Sequence, residues 1–151
     1  MIEYTVTVCD NGDRFWFLNG KLHREDGPAI EFISGDKHWY LNGEFHREDG
    51  PAVEYVSGTK HWFLNGKLHR EDGPACEYAS GDKYWYFNGA RHREDGPAVE
   101  SSNGEKKWCV NGKRLTEEEF LQMTQKHTII IDGQKISVSE KSFNELKKSL
   151  N

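Results

Sequence analysis

The 151-residue chain has no long apolar run, no surplus of positive charge and no even set of cysteines. A membrane-spanning helix needs about 18–20 consecutive apolar residues, and no stretch approaches that. Residues 1–15, MIEYTVTVCDNGDRF, have neither a basic start nor a long apolar stretch, so no secretory signal is evident. Binding of duplex nucleic acid or an anionic membrane surface wants a basic face. Here 25 acidic residues outnumber 20 basic ones, for a formal charge of −5. Cys9, Cys76 and Cys109 are odd in number and widely spaced. That argues against a disulfide framework and for a reduced, cytoplasmic setting. Apolar residues are 35% of the chain, but aromatics are 13%, more than a disordered chain carries. The core should be thin rather than absent.

What the chain has is repetition, the first thing to look for in a sequence. Trp16, Trp39, Trp62, Trp85 and Trp108 recur every 23 residues. Asn19-Gly20, Asn42-Gly43, Asn65-Gly66, Asn88-Gly89 and Asn111-Gly112 follow at the same period. The heptad His-Arg-Glu-Asp-Gly-Pro-Ala occurs unchanged from His23, His46, His69 and His92. A turn pair recurs as Asn11-Gly12, Ser34-Gly35, Ser57-Gly58, Ser80-Gly81 and Asn103-Gly104.

Each unit is too short for two helices. It is rich in aromatic and β-branched residues and bounded by Gly, Asn and Pro, which is the signature of strands. In residues 30–41, IEFISGDKHWYL, the stretch 30–33 reads as one strand and 37–41 as its return. Ser34-Gly35 is expected as a two-residue hairpin turn of the primed type. Asn42-Gly43 and the heptad then form a longer connection, and Pro51-Ala52 opens the next strand, where Pro is tolerated. Five strands precede the short turns, near residues 4–10, 28–33, 51–56, 74–79 and 97–102, and five follow them with the tryptophans. This predicts an all-β repeat array over residues 1–115, an antiparallel meander of about ten strands. At about 4.8 Å per strand, each unit advances the sheet by about 9.6 Å.

An aromatic strand, then Asn-Gly-Lys-x-His, then a Gly-containing turn at a 23-residue period resembles the MORN repeat. The heptad form resembles the divergent MORN-like repeats of phage, bacterial and giant-virus proteins. The likeness covers residues 4–114 and departs where ordinary units have Gly after the His; here it is Arg24, Arg47, Arg70 and Arg93. The resemblance implies a scaffold or interaction module, with phospholipid binding proposed for some members.

Residues 116–151 read as a separate C-terminal cap or docking module of helix, β-hairpin and helix. Thr116 to Glu119 forms a capping box, and Leu115 with Phe120 a hydrophobic staple, opening a helix at about 117–126. Strands at 128–131 and 135–138 flank an Asp132-Gly133 hairpin turn. Ser139 caps a last helix, with Val138 and Phe143 as a second staple and Phe143, Leu146 and Leu150 as its apolar face. The first helix is expected to cap the last repeat. The hairpin and last helix are too small to stand alone and should dock on the sheet or on a partner.

The candidate site is the heptads. A structural reading has Asp-Gly making the turn and each Arg bridging to the next loop, as Arg24 to Glu48 or Asp49. A binding reading makes His23, Arg24, His46, Arg47, Glu48, His69, Arg70, Glu71, His92 and Arg93 a comb for a polar protein partner. By the strand period of two, His38/Tyr40, His61/Phe63 and Tyr84/Tyr86 share the face opposite the tryptophans. That row, including Tyr40, Phe63 and Tyr86, is the second candidate surface, with the Trp row expected as core. Cys9, Cys76 and Cys109 are also expected in the core. Neighbouring histidines about 9.6 Å apart cannot share a zinc ion, so no metal or other cofactor is expected. No nucleophile turn or phosphate-cradling loop is present, so no enzyme is expected. The first reading is thus a non-enzymatic protein-interaction module or scaffold. Its specific form is a phage or mobile-element factor that binds and inhibits a host defence protein, in the host cytoplasm. The alternative is a small-molecule or nucleotide binder using the Arg and aromatic rows between repeats; a hydrolase comes last. The open edge near Tyr4 to Cys9 also allows a homo-oligomer.

Overall fold

Two kinds of Gly-containing turn alternate along the chain and dictate its course. The computed structural model describes residues 3–149, without the side chains of residues 140 and 141. At the five Asn-Gly pairs that follow the tryptophans both residues have positive φ, as in Asn42 (53°) and Gly43 (85°). Only a type I′ turn asks this of both central residues, and Asn and Gly tolerate it best. At the Ser-Gly and Asn-Gly pairs of the other series only the glycine is left-handed, as Gly35 at 96°. There Gly35 N–H donates to Phe32 O at 2.9 Å and Phe32 N–H donates to Asp36 O at 3.0 Å. This is a three-residue loop, a type I turn followed by a bulge glycine. It replaces the two-residue primed turn expected from Ser34-Gly35.

The meander is as the repeat implied. Successive strands pair antiparallel in one 12-stranded sheet. Its internal units run Ile30–Glu31, Lys37–His38, Val53–Glu54, Lys60–His61, Cys76–Glu77, Lys83–Tyr84 and Val99–Glu100. Thr5–Val8 and Arg14–Leu18 begin it and Lys106–Val110 ends it. That makes the ten strands foreseen. The sheet's other two, Lys21–Leu22 and Lys113–Leu115, belong to Asn-Gly hairpins of the first and last units.

The expected continuous return strand 37–41 is broken at Trp39, as at Trp62 and Trp85. The backbone of Trp39 faces two ways: its N–H donates to Ala52 O at 2.7 Å, while its C=O accepts from His46 N at 3.1 Å. The chain there leaves the long sheet and enters a separate two-stranded hairpin, Tyr40–Leu41 with Glu44–Phe45. The next two units repeat this with Phe63–Leu64/Lys67–Leu68 and Tyr86–Phe87/Ala90–Arg91. The three internal units are therefore two hairpins each, one in the long sheet and one forming a two-stranded sheet of its own.

The core is thin and periodic. Ala29, Ala52, Ala75 and Ala98 are fully buried, and Ile30, Val53, Cys76 and Val99 nearly so. Burial pushes the Cys76 thiol up to about 11. Cys109 is buried as expected, but Cys9 is exposed, because it sits in the first turn, where its N–H and C=O close the loop to Asp13 and Gly12. With so little apolar burial, much of the inter-unit adhesion is polar. Asp13 Oδ1 accepts from Ile33 N at 2.8 Å, Asp36 Oδ1 from Val56 N at 2.8 Å, and Asp82 Oδ1 from Ser102 N at 2.6 Å. Thr59 Oγ1 does the same for Ala79 N at 3.1 Å. These bonds tie each turn tip to the following one.

The tail opens with helix α1, Glu117–Thr124, on the expected capping box: Thr116 Oγ1 accepts from Glu119 N and Glu119 returns to Thr116 N. Phe120 is buried, and α1 packs on the last hairpin of the array and on the final helix. Lys126–Ile131 pairs with Gln134–Ser139 around Asp132-Gly133, both of positive φ. Helix α2, Glu140–Ser149, is capped by Ser139 Oγ accepting from Ser142 N at 3.2 Å. The Phe143 ring stacks on His127 at 4.3 Å. Leu150, expected on the apolar face of α2, lies outside the described residues. Among the described residues no helix is long and apolar enough to cross a membrane.

Candidate functional site

The heptad can be derived residue by residue. In the second copy, the His46 ring reaches the next unit, where Nδ1 accepts the Asn65 backbone N–H at 3.2 Å. His23, His69 and His92 do likewise with Asn42, Asn88 and Asn111 at 3.0–3.1 Å. Nδ1 of His23, His46 and His69 also lies 3.0–3.1 Å from the side-chain Oδ1 of the same Asn. The rings are therefore staples between units, and His23 and His69 are buried.

The Arg folds back on its own unit. Arg47 Cζ lies 4.1 Å from the Trp39 ring centroid, in cation–π geometry. Its Nε donates to Asp49 at 2.8 Å, and Nη1 donates to Pro51 O at 3.2 Å and to Glu54 Oε1 at 2.8 Å. Arg24, Arg70 and Arg93 repeat this with Trp16, Trp62 and Trp85. The expected bridge from Arg24 to Glu48 or Asp49 is thus not formed. Arg24 holds Asp26 at 2.9 Å and Glu31 at 3.2 Å instead, because the Trp16 face draws the guanidinium inward. The hydrogen bond from each Arg, more than its charge, holds Asp26, Asp49 and Asp72 below the usual aspartate range. Asp95 is lowered in the same way by Arg93.

Gly50 has an ordinary φ, so its identity has another cause. A Cβ there would meet Arg47 Cζ at 2.9 Å, and Gly27, Gly73 and Gly96 are equally close to their own Arg. Pro51 offers the carbonyl that Arg47 uses, and Ala52 the carbonyl for Trp39 N–H. Six of the seven residues thereby have a structural task. The Glu is different: Glu48 Oε1 lies 3.7 Å from His46 Nε2, beyond hydrogen-bond length, and its side chain is 85% exposed. Glu25, Glu71 and Glu94 stand the same way.

Between successive heptads lie three equivalent grooves. One of about 630 Å³ runs between the Arg47 and Arg70 loops, with Trp62 and Leu64 as its floor. Another of about 750 Å³ has Trp85 and Phe87, and a third of about 610 Å³ has Trp39 and Leu41. Glu48 and Glu71 stand on the rims of the first. The half-buried tryptophans, expected only as core, therefore also line the grooves.

The opposite row is packed against itself. The Tyr40 ring stacks on Phe45 at 4.2 Å, and Phe45 on Phe63 at 5.0 Å. His38 lies among Phe32, Phe45 and Tyr55. Tyr86 accepts from Arg91 Nε at 3.1 Å. Tyr40, Phe63 and Tyr86 are all half-buried, each in the first strand of its short Asn-Gly hairpin. Burial lowers the pKa of His38 and His61, whose Nε2 atoms are buried without a hydrogen-bond partner, and raises that of Tyr40.

The candidate residues thus divide. His23, Arg24, His46, Arg47, His69, Arg70, His92 and Arg93 are committed to the array's own bonds. The side chains of Glu48 and Glu71, and with them Glu25 and Glu94, are exposed and make no hydrogen bond within the array. Among the described residues no group of His, Cys, Asp or Glu is placed to hold a metal ion. No family model matches the chain, and no curated protein matches it.

Proposed function

We propose that the chain is a non-enzymatic interaction array that contacts a protein partner through its loop face. The observation that carries this reading is the recurrence of the same Trp-floored groove at three successive positions. A periodic surface suits a long partner held at several points. An enzyme would want one unit chemically unlike the rest, and the four heptads are identical. The MORN-like pattern of the repeats supports the same class. A phage or mobile-element factor that occupies a host defence protein is its specific form. The nucleotide alternative draws less support from the geometry, since each Arg already serves two carboxylates and a carbonyl.

The test is affinity capture with the full chain as bait, comparing wild type with Glu48→Lys/Glu71→Lys. These positions are exposed, so the variant keeps its fold, whereas alanine at His46 or Arg47 would remove staples and confuse folding with binding. A stoichiometric partner lost by the variant is expected. A partner retained at full strength would remove the loop face from the reading.

A further inference from the structure

The grooves differ from an ordinary polar surface in the balance of charge at their rims. In the groove between the second and third heptads, Arg47 and Arg70 are each closed by an Asp and by a Glu of the following strand. The Glu48 and Glu71 side chains make no hydrogen bond, each standing 3.7–3.8 Å from the Nε2 of its own His, and they line the groove with Leu64 and with Trp62, one face of which Arg70 covers. Carboxylate next to aromatic and aliphatic surface is the environment of an alkylammonium or guanidinium group, which uses both cation–π and charge-assisted contacts.

The Glu is also kept where other positions have drifted. The residue after each bulge glycine runs Asp13, Asp36, Thr59, Asp82 and Glu105. The hairpin position after Asn-Gly runs Lys21, Glu44, Lys67, Ala90 and Lys113. Units that have diverged this far still share Glu25, Glu48, Glu71 and Glu94, although each side chain reaches only its own His Nε2, at 3.7–3.8 Å, and makes no hydrogen bond.

The pitch selects the shape of the ligand. Two strand spacings set successive grooves about 9.6 Å apart. A polyproline II segment has three residues per turn and rises about 3.1 Å per residue, so equivalent side chains recur every 9.3 Å or so on one face. A β-strand puts residues i and i+3 on opposite faces and does not fit. We propose that the loop face binds a basic, polyproline II segment of a protein partner, whose Lys or Arg side chains at i, i+3 and i+6 enter the three grooves. This rests on the interaction-array reading and names the partner's chemistry.

The experiment titrates the full chain with a labelled peptide of three Lys-Pro-Pro repeats, following anisotropy and tryptophan fluorescence. The comparison peptides are one of the same composition with its three lysines contiguous, and Glu-Pro-Pro repeats. The spaced Lys peptide is expected to bind about tenfold or more tighter than the contiguous one. Glu48→Gln/Glu71→Gln is expected to abolish that difference while the far-ultraviolet circular dichroism stays unchanged. Equal binding of both Lys peptides, insensitivity to the variant, or no binding at all would overturn the proposal. So would self-association of the chain that Glu48→Gln/Glu71→Gln abolishes, since a second copy would then own the grooves. Should no basic peptide bind while affinity capture still yields a partner lost by the loop variant, the array reading survives and the basic ligand does not.

Discussion

Replacing Arg47 by alanine tests the account of the heptad most directly. The change strands the Pro51 carbonyl, removes the partner of Glu54 and uncovers one face of Trp39. Arg47 is 22% exposed and Glu54 35%, so their bond is screened only in part and is worth about 1 kcal/mol. The carbonyl and the indole face each add about as much. The exposed Asp49 contact is left out of the sum. A loss of about 2–3 kcal/mol is expected, a large share of the roughly 5–15 kcal/mol that holds a domain. Arg47→Lys keeps the charge but loses the planar fork, so about half the loss remains. The assay is urea unfolding of the full chain followed by tryptophan fluorescence and circular dichroism. Glu48→Gln in the same loop is the control and should stay within about 0.5 kcal/mol of wild type. If Arg47→Ala also stays within that margin at an unchanged m value, the guanidinium does not organise the loop.

Gly50→Ala should act through the same Arg, since its Cβ would sit 2.9 Å from Cζ; about 1–3 kcal/mol is lost, and combining it with Arg47→Ala adds little further. His38 and His61 have folded pKa values below the usual 6.5 because of burial, so the native state binds fewer protons than the unfolded chain. Their stabilising share is complete above that pH and falls away as pH drops below it. The urea midpoint should therefore decline from pH 7.5 to 5, and His38→Phe/His61→Phe should flatten the decline; an unchanged slope would count against buried neutral rings. A thiol reagent at pH 8 should modify Cys9 at once and spare Cys76, whose thiol is raised to about 11, and the buried Cys109 until denaturant is added. Mass spectrometry of the modified chain reads the order.

The meander was legible because its signals are local and repeated. Strand, turn and strand recur at one period, so five noisy readings support each other. The Asn-Gly hairpins were missed although Asn-Gly is the strongest short hairpin signal. The strands around it are two residues each, as Tyr40–Leu41 and Glu44–Phe45 are, too short to show an alternation. The break at Trp39 was invisible for a related reason: KHWYL reads as one good strand, and only the competing demands of Ala52 O and His46 N split it. The tail was more readable, since capping boxes and Asp-Gly turns are signals that need no neighbour.

The heptad shows where reading residue types alone stops. An Arg followed by two acids suggests a partner at a distance, and the length of the side chain permits one. Its actual direction is decided by two features that are ordinary in isolation, an indole eight residues upstream and a glycine three residues downstream with no Cβ to obstruct it. Trp16 with Gly27, and Trp39 with Gly50, bracket Arg24 and Arg47 in this way. Once the Arg is turned inward, Asp26 and Glu31 are drawn to Arg24, and Asp49 and Glu54 to Arg47, so the guanidinium charge is met within its own unit. The heptad Glu, exposed and without a side-chain hydrogen bond, then becomes conspicuous by subtraction. That Glu carboxylate stands 3.7–3.8 Å from its own His in all four units and bonds nothing else, which is why Glu48→Gln is expected to leave the stability of the array unchanged while Arg47→Ala does not.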